Sequence, residues 1–161
     1  MIRPATQDDA AQIAALWSAL IRDTTVTFNS HEKTAADITA LLADKAAADQ
    51  PFLVALHAGR VAGFATYGPF RNGPGYARTI EHSILLDTAA RGQGLGRGLM
   101  SALEDHARTR GMHTLWAGVS GENPAGVTFH RHLGFAEVAT LREVGYKFGR
   151  WIDLVLMCKR L

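Results

Sequence analysis

The chain has 161 residues, 47% of them hydrophobic and 20% charged, which is the size and composition of a single domain spanning residues 1–161 with a core of its own. Lys and Arg total 17 against 15 Asp and Glu, a formal charge of +2 that is too mild to argue for a nucleic-acid partner, and the single cysteine, Cys158, excludes an internal disulfide framework or a cysteine-based metal site. No run approaches the ~20 apolar residues of a membrane span and "MIRPATQDDA" lacks a signal pattern, so a cytoplasmic protein with no membrane partner is expected.

After a short apolar start at Ile2, "DDAAQIAALWSALIRDT" places Ile13, Leu16, Trp17, Leu20 and Ile21 at helical spacing, with Asp8 and Asp9 at the end that the helix dipole favours. A polar stretch follows. Then "AADITALLADKAAADQ" predicts a second helix with Ile38, Leu41 and Leu42 as its apolar stripe, ended by Pro51. "PFLVALHAGRVAGFATYG" holds two apolar runs joined around His57 to Arg60, which predicts an antiparallel hairpin with Gly59 in its turn. After the Gly- and Pro-rich loop "GPFRNGPG", residues 79–86, "TIEHSILL", are β-prone. The run "RGQGLGRGLM" then leads into a helix with Leu95, Leu99 and Leu103 on one face.

Beyond Gly111, "HTLWAGVS" predicts a strand and "NPAGVTFHRHLG" a short helix, with Asn123 as its N-cap, Pro124 at its first position and Gly134 as its stop. "FAEVATL" and the closing "GRWIDLVLMCKRL" predict two more strands. The elements add up to an α+β domain.

Glycines between a strand and a helix let backbone N–H groups converge on an anion, and the helix N-terminus adds partial positive charge. Spacing eliminates two phosphate-binding motifs. A P-loop requires Lys followed by Ser or Thr after its glycines, and none follows here; a dinucleotide fingerprint requires G-x-G-x-x-G, whereas Gly92, Gly94, Gly96 and Gly98 alternate. What remains, with Arg91, Gly94 and Gly96 in register, resembles the pyrophosphate loop of the GNAT superfamily of N-acetyltransferases. "ENPAGVTFHRHLGF" resembles that superfamily's Asn-led helix ending in Gly-Phe, through Asn123, Pro124, His130, Gly134 and Phe135.

Within the superfamily, "TIEHSI", "RGQGLGRGLM", "NPAGVTFHRHLGF" and "VGYKFGRWIDL" together resemble the phosphinothricin and methionine-sulfoximine acetyltransferase group over nearly the whole chain. The resemblance implies a GNAT fold: α/β/α layers around a mixed, mostly antiparallel sheet of about seven strands, with about four helices. It implies acetyl-CoA as acetyl donor, no metal, and transfer to the α-amine of a small amino acid or toxic analogue by direct attack in a ternary complex. Coenzyme contacts are then expected at Ile84, Leu85, Leu86, Arg91, Gly92, Gln93, Gly94, Leu95, Gly96, Arg97 and Asn123. Group members form homodimers in which the partner completes the substrate pocket, so a homodimer is expected too. Arg71 matches a basic position of the group, whereas Ala77 stands where the group usually carries Arg.

Acetyl transfer to an amine needs a base, a donor for the oxyanion and a proton for the departing thiolate. Glu81 lies in an otherwise apolar strand, where an unpaired carboxylate is costly, so it should face a polar cleft or a partner such as Arg78. Its group equivalent is the proposed general base. Strand alternation sends His82 to the opposite face, as a structural histidine. His130 lies where many of these enzymes place a Tyr near the coenzyme sulfur, and is read either as the acid or as a packing histidine; it and His132 are spaced wrongly for a shared metal site. The oxyanion donor would be a backbone N–H within Ile84 to Leu86.

An amino-acid acceptor presents a carboxylate, so the pocket should offer cations, with Arg71, Arg78 and Lys147 as candidates. Tyr146 and Lys147 match the group's motif near the substrate mouth, and Phe28 and Trp151 are expected to supply apolar wall. Two other functions stay open: acetylation of a protein N-terminus or other small amine, and a non-catalytic acyl-CoA sensor on the same fold. Ping-pong chemistry through Cys158 is disfavoured, because no base neighbours it in the apolar last strand.

Overall fold

A computed structural model describes all residues, 1–161. Seven strands form one sheet in the order β1-β2-β3-β4-β5-β7-β6: β1 Ile2–Pro4, β2 Phe52–His57, β3 Arg60–Pro69, β4 Thr79–Leu86, β5 Thr114–Ser120, β6 Ala136–Lys147 and β7 Arg150–Arg160. Every neighbouring pair is antiparallel except β4 and β5. Four helices, α1 Ala10–Asp23, α2 Ala35–Ala47, α3 Leu95–Thr109 and α4 Pro124–His132, cover the two faces. None is long and apolar enough to cross a membrane. The seven-stranded mixed sheet and four helices are those the sequence predicts.

Alternation along the strands assigns each face its helices. Ala10, Ile13 and Ala14 of α1 and Ile38 and Leu42 of α2 bury against Phe52, Val54, Val61 and Phe64. On the other face Leu99, Met100, Leu103 and Ala107 of α3 bury against Leu53, Ala55, Ala65, Ile80, Leu115 and Ala117. A fully buried Leu contributes about 1.5–3 kcal/mol, so Leu99 and Leu103 alone anchor α3 firmly.

Local chemistry fixes the helix ends. Thr34 accepts from the Asp37 N–H while the Asp37 carboxylate accepts from the Thr34 N–H, a reciprocal cap that starts α2. Asp9, which the sequence places at the dipole-friendly start of α1, instead sits in a single 3-10 turn before it; Arg3 grips it at 2.7 and 2.8 Å and holds its carboxyl down at about 2. Asn123 caps α4 by accepting from the Gly126 N–H at 3.0 Å, with Pro124 at the first position as predicted.

The predicted strand at 135–141 continues to Lys147, with its turn at 148–149. Two irregularities run through it. Two residues of β6 advance against one of β7 between Glu137 and Ala139, and four against two between Leu141 and Gly145. Glu143, at φ 53°, sits in the second and donates its N–H to Asp153 at 2.9 Å.

Candidate functional site

Strands β4 and β5 pair only at Thr79–Thr114, Ile80–Leu115 and Glu81–Trp116. Beyond Glu81, β4 stays bonded to β3 as far as Leu86, and β5 stays bonded to β7 as far as Ser120, but not to each other. The sheet opens into a V there. Backbone N–H and C=O groups on the facing edges of the V have no strand partner, so Ile84 to Leu86 can offer a donor to an oxyanion, as the sequence anticipates.

One arm of the V continues into the glycine run. Gly94 holds φ 73° as the N-cap of α3, a left-handed conformation that favours glycine, with open space where a side chain would stand. No side-chain oxygen caps α3, so the N–H groups of its first turn face the groove. This groove, of about 410 Å³, is lined by Ile84, Leu85, Leu86, Arg91, Gly92, Gly94, Leu95, Gly96, Arg97 and Asn123. Of the coenzyme residues expected from sequence, only Gln93 does not line it. Phe129 and Leu133, not anticipated, extend its apolar part. Arginines and free N–H groups at one end and apolar side chains at the other suit a pyrophosphate and a pantetheine arm respectively.

A second cavity, of about 240 Å³, opens on the α1/α2 side of the V and shares Val26, Ile84, Leu85, Asn123 and His130 with the groove. Trp17, Phe28 and Leu154 give it apolar walls, and Thr27, Ser83, Ser120 and Glu81 supply polar groups. Ser83 was legible by alternation from Glu81; Trp17, Gly118, Ser120 and Leu154 come from distant segments and were not. Glu81 is half-buried and makes no ion pair, and burial alone pushes its carboxyl up. Arg78 reaches towards the Gly111 carbonyl at 3.5 Å instead, so the ion-pair reading of Glu81 is not realised. Bare Gly118 leaves the carboxylate its room: a Cβ there would stand 3.1 Å from the Glu81 Oε1.

His82 faces away from Glu81, as expected, and meets His130 on α4 with the Nε2 atoms 3.2 Å apart. His130 Nδ1 lies 2.7 Å from the Gly126 carbonyl, which can only accept, so that nitrogen carries the proton. His130 Nε2 then accepts from His82 Nε2–H, and His82 Nδ1 is left as a buried lone pair without a partner. Burial holds both rings neutral, with His82 down at about 3 and His130 also below its ordinary value. This corrects the reading of His130 as the acid. It borders the groove, but its one proton is committed to a backbone carbonyl.

Four substrate assignments also change. Lys147 is 4% exposed and its Nζ donates to the Thr24 and Thr27 carbonyls at 2.7 and 2.8 Å, so it does not present a cation to the cleft. Tyr146 and Trp151, paired across β6 and β7, stack edge to face on the outer surface, 57% and 61% exposed. Neither lines the cleft. Arg71 lies outside the lining, over the ring of Phe70, which stacks in turn on Trp116 beside Glu81. Phe28 is where the sequence puts it, in the cleft wall. No cluster of three or more His, Cys, Asp or Glu side chains is arranged to hold a metal.

The family model described as "Acetyltransferase (GNAT) domain" matches residues 2–156. The chain is 37% identical over 156 residues to the L-amino acid N-acyltransferase MnaT of Escherichia coli strain K12, covering 97% of this chain and 91% of that protein. It is 36% identical, over the same length and shares, to the L-methionine sulfoximine/L-methionine sulfone acetyltransferase of Salmonella typhimurium. Among solved structures it superposes with a TM-score of 0.96 on a ribosomal-protein-alanine N-acetyltransferase from Brucella melitensis, 38% identical, covering 100% of this chain and 99% of that one. The TM-score is 0.95 against yncA from Salmonella typhimurium with its cofactor acetyl-CoA, 35% identical, covering 100% and 93%.

Proposed function

The chain belongs to the GNAT family of acetyltransferases, with acetyl-CoA as its acetyl donor, and from that premise we propose that it acetylates the α-amine of a small amino acid or a toxic analogue of the phosphinothricin, methionine sulfoximine or methionine sulfone type. The observation that carries this reading is Glu81: a half-buried, unpaired carboxylate in a compact cavity that joins the coenzyme groove at the split between β4 and β5. Relatives named for amino-acid acceptors support the class.

Both substrates are bound together and the amine attacks the thioester carbonyl directly. The N–C bond forms first and the carbonyl pair moves to oxygen, where a backbone N–H of Ile84 to Leu86 stabilises the oxyanion; Glu81 accepts the amine proton, and the C–S bond breaks as the carbonyl re-forms. A carboxylate whose proton affinity is raised by burial is a better base than an exposed one. With the His130 proton held by Gly126, the departing thiolate takes its proton from solvent. Holding the reactants in line across the V supplies much of the remaining rate.

The cavity lining has no Lys or Arg for the acceptor's carboxylate. Arg71 lies outside that lining, over Phe70, and a second copy of the chain would supply the missing cation. Val138, Val144, Tyr146, Phe148 and Trp151 are each more than half exposed on the β6–β7 hairpin, an apolar surface suited to such a homodimer. Sedimentation of the free protein reads that state directly.

The deciding experiment is thiol release from acetyl-CoA with methionine sulfoximine, methionine sulfone, phosphinothricin, a polyamine and an alanine-led ribosomal peptide. Saturable turnover of the first three alone is expected. A peptide N-terminus is also an α-amine, and the Brucella neighbour's name favours it as the second reading; turnover of the peptide alone establishes that reading instead. Coenzyme binding without turnover on any of them identifies a sensor.

A further inference from the structure

The segment between α1 and α2 has neither helix nor strand from Thr24 to Thr34, yet it forms one wall of the acceptor cavity through Val26, Thr27 and Phe28. Its own bonds are local: Val26 N–H to Thr24 Oγ1 and Asn29 N–H to Thr27 Oγ1, both 3.3 Å, and His31 N–H to Asn29 Oδ1 at 2.9 Å. Such two-residue turns shape a strap without fixing it to the body. Ser18 ties the far end, exchanging hydrogen bonds with Lys33 at 2.8 and 3.0 Å.

The middle is held from β6. Gly145 lies against the Phe28 ring so closely that a Cβ there would stand 2.5 Å from it. Two residues on, and therefore on the same strand face, Lys147 sends its ammonium to the Thr24 and Thr27 carbonyls. No carboxylate accompanies it. Its charge is balanced by those two carbonyls, by the Phe148 ring 5.0 Å away and by the negative end of α1, whose C-cap is Thr24. A buried ammonium with so few partners is costly unless the segment it holds is needed in one place.

We propose that Lys147 is a positioning residue for the acceptor: by gripping the strap at Thr24 and Thr27 it holds Phe28 and Thr27 as the cavity wall opposite Glu81, and so sets acceptor affinity without touching the acceptor. This rests on the amino-acid acetyltransferase reading. The glycine groove is built mainly on β4, α3 and α4 and meets the strap only at Val26, so coenzyme binding depends little on the grip.

The test compares Lys147→Met with wild type in two measurements. In steady state, the acceptor KM rises about tenfold or more while kcat and acetyl-CoA affinity stay within about threefold. In hydrogen exchange, amides of residues 24–31 exchange about tenfold faster and those of 91–100 are unchanged. Lys147→Arg, which keeps charge and donors, recovers part of both effects. Unchanged acceptor KM and unchanged exchange over 24–31 overturn the proposal; a lower melting temperature alone marks a merely structural lysine and overturns it as well. Should the Met variant fail to bind acetyl-CoA, Lys147→Gln, which keeps one donor, is judged on the same terms. If wild type acetylates no amino acid, the amino-acid reading has failed, and the exchange measurement still decides whether Lys147 holds the strap.

Discussion

The two halves of the cleft are built on different principles. The coenzyme half comes mainly from two continuous stretches, 84–97 and 123–133, with Leu20 and Val26 at its edge, and its polar recognition is mostly backbone: the exposed first turn of α3 and the free edge of β4. The acceptor half collects Trp17 from α1, Val26 to Phe28 from the strap, Glu81 and Ser83 from β4, Gly118 to Ser120 from β5 and Leu154 from β7, and presents side chains. A backbone site tolerates side-chain change around it, whereas a side-chain site gathered from these segments, with Asn123 and His130 shared from α4, moves whenever one of them shifts. Coenzyme use should therefore survive substitutions that alter acceptor use.

The sharpest division comes from Glu81→Gln. Removing the base lowers kcat about a hundredfold or more, while acetyl-CoA affinity, measured by calorimetry, is unchanged. The pH profile adds a second check. Burial raises the Glu81 carboxyl above its ordinary value of 4.5, so the acid limb of kcat/KM in wild type falls above that pH and disappears in the variant.

A smaller effect confined to the acceptor half follows from Gly145→Val. The added carbons collide with the Phe28 ring and push it into or away from the cavity. Acceptor KM is expected to rise about tenfold and coenzyme affinity to stay within about twofold. Equal losses on both sides mean that the halves are not separable.

The same contrast explains what the sequence disclosed. The glycine spacing, the Asn123 cap and the phase of β4 are local, so the groove, α4 and the outward turn of Glu81 towards the cleft were readable from short windows. The lower edge was not. The first register irregularity in β6, two residues against one, shifts the phase of the strand against β7, and at its far end Tyr146 turns out to solvent and Lys147 in towards the strap. Alternation cannot count bulges it does not see. Nor does residue type show that a histidine proton is already held by a carbonyl four residues back, as with His130 and Gly126.

His82 and His130 join the halves, since one stands on β4 and the other on α4 across the V. Both are buried neutral, with values below the ordinary 6.5, so in mild acid the unfolded chain binds more protons than the folded one. Their contribution is fully present above pH 6.5 and is lost as pH falls towards about 3 for His82. Asp9, lowered from 3.8 to about 2, acts in the same direction further down. Stability from urea unfolding should thus drop between pH 7 and 5, with a slope of up to about 1.4 kcal/mol per pH unit for each buried ring. His82→Gln, which keeps a donor to His130 but does not titrate, shallows that slope. An unchanged slope places the acid-sensitive protonation elsewhere.

The smallest effect is expected at Cys158, which tests whether the two halves act together or in turn. In ping-pong transfer the acetyl group would pass to an enzyme thiolate before the acceptor arrives, and Cys158 is the only thiol. It stands on β7 opposite Trp116 and Ala136, lines neither cavity, and burial pushes its thiol up, away from the thiolate. Cys158→Ser should leave kcat within about twofold, and initial velocities with both substrates varied should give intersecting lines. Parallel lines lost on substitution show instead that the coenzyme half discharges its acetyl group first, and the V then serves two successive occupants in place of one ternary complex.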